Sequence, residues 1–321
     1  MGRFILKRLL WMIPVILGVT ILIFSIMFVV PGDPATIIAG EGATEADLIE
    51  IRDELGLNDP YIVQLGRYMY KVFFKFDFGE SYSSGKSVTA ELMVRLPRTI
   101  IVGFSAMLIS LCVGIPLGVI AAVYRNGWGD RISMIIALLG ISLPQFWIAL
   151  MMVILFSVNL GWLPAQGIDT WTCYIMPAVA LCFGGLAGQA RQSRSSMLEV
   201  IRADYVTTAR SKGLSEREVI VKHALPNALM PIITLAGSQL AHIFGGAVAI
   251  ETVFSIPGIG SYLVAAINKR DYPVIQGSVI LLAIVFSLVM LLVDLTYGFI
   301  DPRIRAQFTG GGKKKKAKEA G

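Results

Sequence analysis

Charged residues are scarce in this chain, and their scarcity excludes a soluble globular protein. Lysine, arginine, aspartate and glutamate make up 16% of the 321 residues, whereas soluble domains carry about 25%. Hydrophobic residues make up 55%, and the mean hydropathy is +0.70. They are concentrated in runs of about 20 residues, the length that a helix needs to cross the hydrocarbon core of a bilayer. The composition therefore predicts an integral membrane protein.

The chain is also poor in the residues that build catalytic and metal sites. It has two histidines, His223 and His242, and three cysteines without a C-x-x-C pair. This is too few for a metal-ligand cluster. We find no serine–histidine or cysteine–histidine arrangement, and no paired carboxylates within the apolar runs. These absences predict that the chain has no catalytic residues and binds no metal or cofactor of its own.

Six apolar segments predict an all-α membrane protein with six transmembrane helices. They cover residues 9–30, 99–124, 132–160, 173–190, 228–250 and 274–300. The third and sixth segments are long enough to tilt or bend. Pro144 predicts a kink in the third.

Lysine and arginine are distributed unevenly among the loops. Residues 161–171 hold none, whereas residues 191–222 hold seven and residues 302–321 another seven. Because basic loops remain on the cytoplasmic side, we expect both termini to be cytoplasmic. The net charge of +6 is thus a signal of topology and predicts no nucleic-acid partner.

The same segments predict the domain organisation. Residues 1–30 form the first transmembrane helix, residues 31–98 an extracytoplasmic helical insertion and residues 99–301 a core of five further helices. Residues 302–321 form a basic cytoplasmic tail that is disordered at its end. This tail either stays solvated or contacts anionic lipid headgroups of the bilayer.

One polar stretch interrupts the apolar core, at residues 204–226, and is called the coupling segment below. Tyr205, Val206 and Ala209 give a first short helix an apolar side, and Gly213 is placed to end it in a left-handed conformation. Ser215, with glutamate three residues later, predicts the capped start of a second helix. Leu225-Pro226 is expected to stop that helix, because the residue before a proline is pushed out of the helical region. Such a pair of helices predicts a docking surface.

Some polar side chains lie at membrane depth in the predicted spans, among them Gln145, Gln239 and His242. A polar group in hydrocarbon is costly, so each is expected to face protein or water. Hydrogen bonding between helices and lining of a wet translocation pathway are both open for them.

A nine-residue stretch, Gly79 to Ser87 (GESYSSGKS), superficially suggests a phosphate-binding loop. It is one residue too long for G-x-x-x-x-G-K-[ST], and no apolar strand precedes it. We therefore reject a nucleotide site there.

The coupling segment resembles the cytoplasmic loop of the permeases of bacterial and archaeal ABC importers, in the dipeptide/oligopeptide/nickel group. The loop of that family reads E-A-A, three residues, G, nine residues, I-x-L-P. Here Thr207 to Ala209, Gly213 and His223 to Pro226 keep this spacing. The departures are Thr207 for the glutamate, Thr208 for the first alanine and His223 for the isoleucine. Further similar motifs are Pro31 to Ala35 and Arg270 to Pro273, and the long outer segment resembles the B-type subunit of these systems.

The resemblance implies a six-helix ABC importer permease in the inner membrane, with defined partners. These are a second homologous permease in a heterodimer, two cytoplasmic ATPases that bind ATP and magnesium, an extracytoplasmic solute-binding protein and a peptide substrate. It assigns the ATPase contact to ten residues: Thr207, Thr208, Ala209, Arg210, Lys212, Gly213, Glu218, His223, Leu225 and Pro226. The same family implies nickel chelates, glutathione and oligosaccharides as alternative cargoes.

A rival interpretation from another class is a secondary transporter driven by an ion gradient. It would need buried charges at mid-membrane and broken helices in repeated halves, and neither is evident in the sequence.

Overall fold

The structure is a computed structural model that describes residues 2–40 and 42–300. The side chains of residues 2–4, 141, 241–242 and 296–300 lie outside the described part. The predicted tail, residues 302–321, also lies outside it. Within the described residues the secondary structure is helical, apart from one isolated β-bridge between Glu80 and Ser87.

The helices follow one another with short connections. In chain order they are α1 (Gly2–Val29), α2 (Pro34–Ala39), α3 (Glu45–Leu55), α4 (Tyr61–Phe74), α5 (Val88–Val123), α6 (Trp128–Ser142), α7 (Gln145–Met152), α8 (Ile175–Val200), α9 (Asp204–Ser211), α10 (Glu216–Glu218), α11 (Leu225–Val253), α12 (Ile259–Lys269) and α13 (Tyr272–Ile300). Two π-helical turns, Val153–Asn159 and Val219–Ala224, continue α7 and α10, and a 3₁₀ turn, Trp171–Tyr174, precedes α8.

Five helical segments of the described chain are long and apolar enough to cross a membrane, and a sixth is counted if a bent pair forms one span. That pair is α6 with α7 and its π turn, which meet at an angle of 96°. Leu143 is extended there (φ −102°, ψ 136°), the conformation that a following proline ring favours. The predicted kink is therefore confirmed and is a sharp break.

The second span begins earlier than the sequence predicted. Helix α5 starts at Val88 rather than near residue 99. Its first three turns carry Glu91, Arg95 and Arg98, and these charges lower the local hydropathy. Hydropathy detects the apolar run, whereas the helix also includes the polar turns before it.

The chain divides into two compact units. Among the described residues, the first contains residues 2–9, Ile101–Phe254 and residues 288–300, and the second contains Leu10–Ile100 and Ser255–Ser287. In the first unit α8 is the central helix, packed against α6, α7 and α11. It meets α5 closely at Gly118, where an added Cβ would collide with the carbonyl oxygen of Ala190 and the side chain of Ser193. Gly118 thus allows the close approach of α5 and α8.

The second unit contains the short helices α2 to α4 and α12. Thr44 caps α3 through a reciprocal hydrogen-bond pair with Asp47, and Gly56 ends that helix with a left-handed φ of 64°. Asp33 caps α2 and accepts a hydrogen bond of 2.8 Å from Nε of Arg52 on α3. These contacts fix two short helices that are too small to be stable alone.

The loop that superficially suggested a phosphate site is closed around a carboxylate of the same unit. Asp271 is buried and accepts hydrogen bonds from Ser81 Oγ at 2.6 Å, from Tyr82 N at 3.1 Å and from Ser83 N at 3.3 Å. Backbone N–H groups in such a turn form a concave anion site. Here the anion is the protein's own aspartate, so the loop serves a structural purpose.

Candidate functional site: the coupling segment

The first helix of the coupling segment is held by two buried side chains. Val206 is fully buried and Ala209 is nearly so, and their spacing of three residues places both on one face of α9. Tyr205 was predicted to share that apolar face. It instead lies on the outer side, with 45% of its surface exposed.

The turn between the two helices forms as the sequence predicted. Gly213 adopts φ 81°, in the left-handed region where a side chain would be strained. An added Cβ there would meet nothing within 4 Å, so backbone conformation alone explains the glycine. Ser215 then caps α10 by accepting a hydrogen bond of 3.3 Å from Glu218 N.

The end of the second helix corrects the sequence prediction. Leu225-Pro226 does not stop the helix: Leu225 is helical (φ −56°, ψ −44°), and the chain continues into α11. The segment just before the proline is a π-helical turn, Val219–Ala224. Such local widening is one way for a helix to accommodate a proline ring and its missing N–H. The coupling segment is therefore continuous with the fifth span.

Beneath the segment lies an apolar cluster of the first unit, called the anchoring cluster. Its buried members come from the segment and from three spanning helices: Val206, Ala209, Val219, Ile220 and Ala224 from the segment, Ala122 from α5, Met197 from α8 and Ala228 from α11. Full burial of a valine stabilises by about 1.5–3 kcal/mol. The cluster thus seats the segment on three helices at once.

The outer surface of the segment combines polar groups with exposed apolar side chains. Thr207, Thr208, Lys212 and Gly213 are exposed, as is Pro226. Tyr205, Leu214 and Val221 expose 45%, 37% and 53% of their surfaces. The sequence interpretation missed Leu214 and Val221 as surface residues. The available signal was their position, since Leu214 lies in the connection between the two helices and Val221 is out of phase with the buried face of the second.

Two ion pairs hold the charges of this surface in place. Arg210 pairs with Glu216 at 2.7 Å and Lys222 with Glu218 at 3.0 Å. The hydrogen bond to Glu216 raises the pKa of the Arg210 guanidinium. Both pairs are largely exposed, and such pairs contribute about 0–1 kcal/mol. They set the charge pattern of the surface more than its stability.

The remaining residues assigned to the ATPase contact lie deeper. Ala209 belongs to the anchoring cluster, Leu225 packs against it, and His223 is half-buried. The structure thus separates the predicted contact residues into an outer set and an anchoring set.

Two of the three predicted pathway residues contact α8 at its glycines. Gln239 donates a hydrogen bond of 3.1 Å to the carbonyl oxygen of Gly185, while its own Oε1 is buried without a hydrogen-bond partner. The amide of Gln145 lies directly against Gly184, and its Oε1 would lie 2.6 Å from a Cβ added at Gly246. The side chain of His242 lies outside the described residues.

Metal ligands are not gathered anywhere in the described chain. No group of three or more histidine, cysteine, aspartate or glutamate side chains there could hold an ion.

Comparison with known proteins identifies related transport proteins. The family model of the binding-protein-dependent transport system inner membrane component matches residues 114–306, and the model of its N-terminal region matches residues 1–103. Among curated relatives, the dipeptide transport system permease protein DppB of Alkalihalophilus pseudofirmus is 42% identical, covering 95% of this chain and all of the relative.

Two further relatives match over the same share of the chain. A putative peptide transport system permease protein of Brucella abortus is 45% identical over 95% of this chain and 99% of its own length. The glutathione transport system permease protein GsiC of Salmonella paratyphi A is 42% identical, with the same coverage. Among solved structures, an inward-facing MetNI methionine ABC transporter is 20% identical, with a TM-score of 0.56 over 65% of this chain and 96% of that chain. This last likeness shows a shared fold.

Proposed function

Because the chain belongs to the family of binding-protein-dependent transport system inner membrane components and is a multi-pass permease subunit of an ABC importer, we propose that its coupling segment docks on a partner ATPase. The resemblance found in the sequence is confirmed at the level of the family. The docking role is supported by one observation above all. The segment is anchored on three spanning helices, while Tyr205, Leu214 and Val221 remain exposed on its outer side.

Docking needs a surface that is rigid and partly apolar. Apolar side chains at the centre of a contact supply most of its affinity, and charges around them set specificity and association rate. Leu214 and Val221 supply exposed apolar side chains, and the ion-paired Arg210 and Lys222 supply the surrounding charges. A movement of the ATPase would displace the segment and, through the anchoring cluster, the spanning helices. The helix bundle would then change between two states as a rigid body.

The same proposal gives the assembly and its orientation. The basic loops favour cytoplasmic termini and a cytoplasmic coupling segment. Two ATPases would bind ATP and magnesium and carry out hydrolysis, so this chain would not act as an enzyme. A second homologous permease would complete the pathway as a heterodimer, and an external solute-binding protein would deliver the cargo.

We propose short peptides as the cargo, since relatives over 40% identical are named dipeptide and peptide permeases. Glutathione is the second candidate, because a relative of equal coverage is named for its transport. Uptake of labelled dialanine and of labelled glutathione by cells that carry the complete importer separates the two. Nickel chelates and oligosaccharides remain alternatives from the family resemblance.

The docking role is tested by placing a charge on the outer surface of the segment. Val221→Asp changes a side chain that is 53% exposed, so the chain should still fold and insert. The assembled complex should lose its substrate-stimulated ATPase activity. Ile49→Asp is the matched control, since Ile49 is 50% exposed on α3 and lies outside the coupling segment. Full stimulation in the Val221→Asp complex would refute docking through this surface.

A further inference from the structure

The contact between α5 and α8, within the first unit, is a regular series of residue pairs. Three pairs, one helical turn apart, form it: Ser110 with Gly185, Gly114 with Gln189, and Gly118 with Ser193. A Cβ added at Gly185 would lie 2.9 Å from Oγ of Ser110, and a Cβ added at Gly114 would lie 2.8 Å from the Cβ of Gln189. One member of each pair is glycine, so the two backbones approach closely. We call these three pairs the α5–α8 ladder.

The other member of each pair is polar, buried and unpaired. Ser110, Gln189 and Ser193 are each 0% exposed. Neither the two hydroxyls nor either amide atom of Gln189 has a hydrogen-bond partner among the described residues. Buried polar side chains are hydrogen-bonded in the large majority of cases, and an unpaired one is costly. These atoms are also closed off from solvent, so a different arrangement of the two helices is needed to supply their partners.

A shift of α5 past α8 by one turn supplies such partners in one direction only. Moved toward the C-terminal end of both helices, Ser110 would stand opposite Gln189, where its hydroxyl and the amide can bond each other. The other pairs would keep at least one small member: Ala106 with Gly185, Gly114 with Ser193, and Gly118 with Met197. The opposite shift would place Leu181 against Ser110 and Gln189 against Gly118, and would pair neither polar group.

The rest of the first unit is compatible with this shift. Helix α8 packs against α6, α7 and α11, so these four helices can move past α5 as one group. Residues 124–127 join α5 to α6, and four extended residues span about 13 Å, more than the roughly 6 Å that one turn advances. Asn126 in this connection has a left-handed φ of 64° and donates a hydrogen bond of 3.0 Å to Asp130. The shift would exchange this bond for a more extended connection.

We propose that the α5–α8 ladder is a two-register switch, in which α5 shifts by one helical turn along α8 and pairs the Ser110 hydroxyl with the Gln189 amide. Close packing at Gly114 and Gly118 stabilises the described register, and the hydrogen bonds of Ser110 and Gln189 stabilise the second. One-turn displacements of one packed element past another are known in proteins that change between two states. The assignment of the two registers to the two states of the helix bundle rests on the proposed function.

Two spin-label distances in the assembled importer test the shift. Ile101 and Ile120 lie on α5, Glu199 lies on α8 and Trp171 precedes α8, and all four side chains are exposed. Nitroxide labels are attached to cysteines at positions 101 and 199, or 120 and 171, after the three native cysteines are replaced by alanine. When a non-hydrolysable ATP analogue is added, the 101–199 distance should shorten and the 120–171 distance should lengthen. Each should change by about 5–6 Å, because four residues advance about 6 Å along a helix.

Ser110→Ala removes a hydroxyl that only the second register uses. The population of the second register, read from the distance distributions, should fall about tenfold, the effect of losing one buried hydrogen bond. The thermal unfolding midpoint without nucleotide should not fall, because the hydroxyl is unpaired in the described register. Ser193→Ala is the matched control: its hydroxyl is also buried and unpaired, and it faces a glycine in both registers. It should keep the full distance change.

Three results would overturn the switch: unchanged distances, two distances that change in the same sense, or an equal loss of the second register in Ser110→Ala and Ser193→Ala. The Val221→Asp complex separates this proposal from docking. If Val221→Asp abolishes ATPase stimulation while the distances in the complex with wild-type Val221 do not respond to nucleotide, the switch alone fails. If both distances still respond in opposite senses in the Val221→Asp complex, docking through that surface alone fails.

Discussion

Replacing Val219 by alanine should loosen the coupling segment from the bundle without touching its outer surface. Val219 is fully buried in the anchoring cluster. The substitution removes two carbon groups, a loss of about 1.6 kcal/mol in transfer free energy. The cavity left behind adds about 1 kcal/mol. The expected local destabilisation is therefore about 2–3 kcal/mol, which raises the local opening equilibrium roughly 30- to 150-fold.

Amide hydrogen exchange followed by mass spectrometry measures this opening directly. The amides of α9 and of the π turn 219–224 should exchange faster in Val219→Ala by about the same factor, because local opening governs their exchange. Val221→Ala is the matched control. It makes the same chemical change two residues away at a side chain that is 53% exposed, so its effect on stability should stay within about 0.5 kcal/mol.

The functional consequence of Val219→Ala should follow the loosening. An ATPase can still bind the intact outer surface, but its movement would be absorbed by the loosened segment. Substrate-stimulated ATPase activity should therefore fall while binding of the ATPase subunit is kept. If exchange in α9 is unchanged, or if Val219→Ala and Val221→Ala accelerate it equally, the anchoring cluster does not hold the segment on the bundle.

Two further predictions concern packing and pH. Gly118→Ala should lower the thermal unfolding midpoint in detergent, because its Cβ would collide with α8 at a cost of about 1–3 kcal/mol. Gly245→Ala should have a much smaller effect, because a Cβ added there meets no atom within 4 Å. Equal effects of the two substitutions would contradict close packing at Gly118. The pH prediction concerns Tyr82, whose pKa is raised from 10.0 to about 12. Burial is the largest cause of this rise, followed by the charges of Asp271 and Tyr272. The folded state thus keeps this proton longer than the unfolded state, and stability falls as pH rises from 10 to 12. Tyr82→Phe should lose less stability over that interval in a thermal scan, and identical profiles would refute the shift.

Local signals in the sequence predicted the parts of the coupling segment that depend on neighbouring residues. The left-handed turn at Gly213 and the cap at Ser215 need only a few residues of chain, so their chemistry is visible in sequence. Leu225-Pro226 misled because a proline usually ends a helix, whereas a π-helical turn accommodates it here. Ala224 and Ala228, on either side of the proline, are buried in the anchoring cluster, a contact that sequence spacing does not reveal.

Contacts between distant residues were beyond the sequence interpretation. The loop at Ser81 closes on Asp271, 190 positions away, and nothing near either residue indicates the pairing. The prediction that Tyr205 lies on the inner face is wrong for a different reason. Protein surfaces are themselves partly apolar, so the apolar character of a side chain does not show whether it is buried or exposed.

The uninterrupted helix from Glu216 to Val253 has a mechanical consequence. At 1.5 Å per residue, such a rod is about 57 Å long, longer than the hydrocarbon core that it crosses, which is about 30 Å thick. In the proposed orientation, the end of this helix that carries the coupling segment lies in the cytoplasm and its other end lies on the far side of the bilayer. A rotation of about 10° about the docking end would sweep the far end through about 10 Å, given that length.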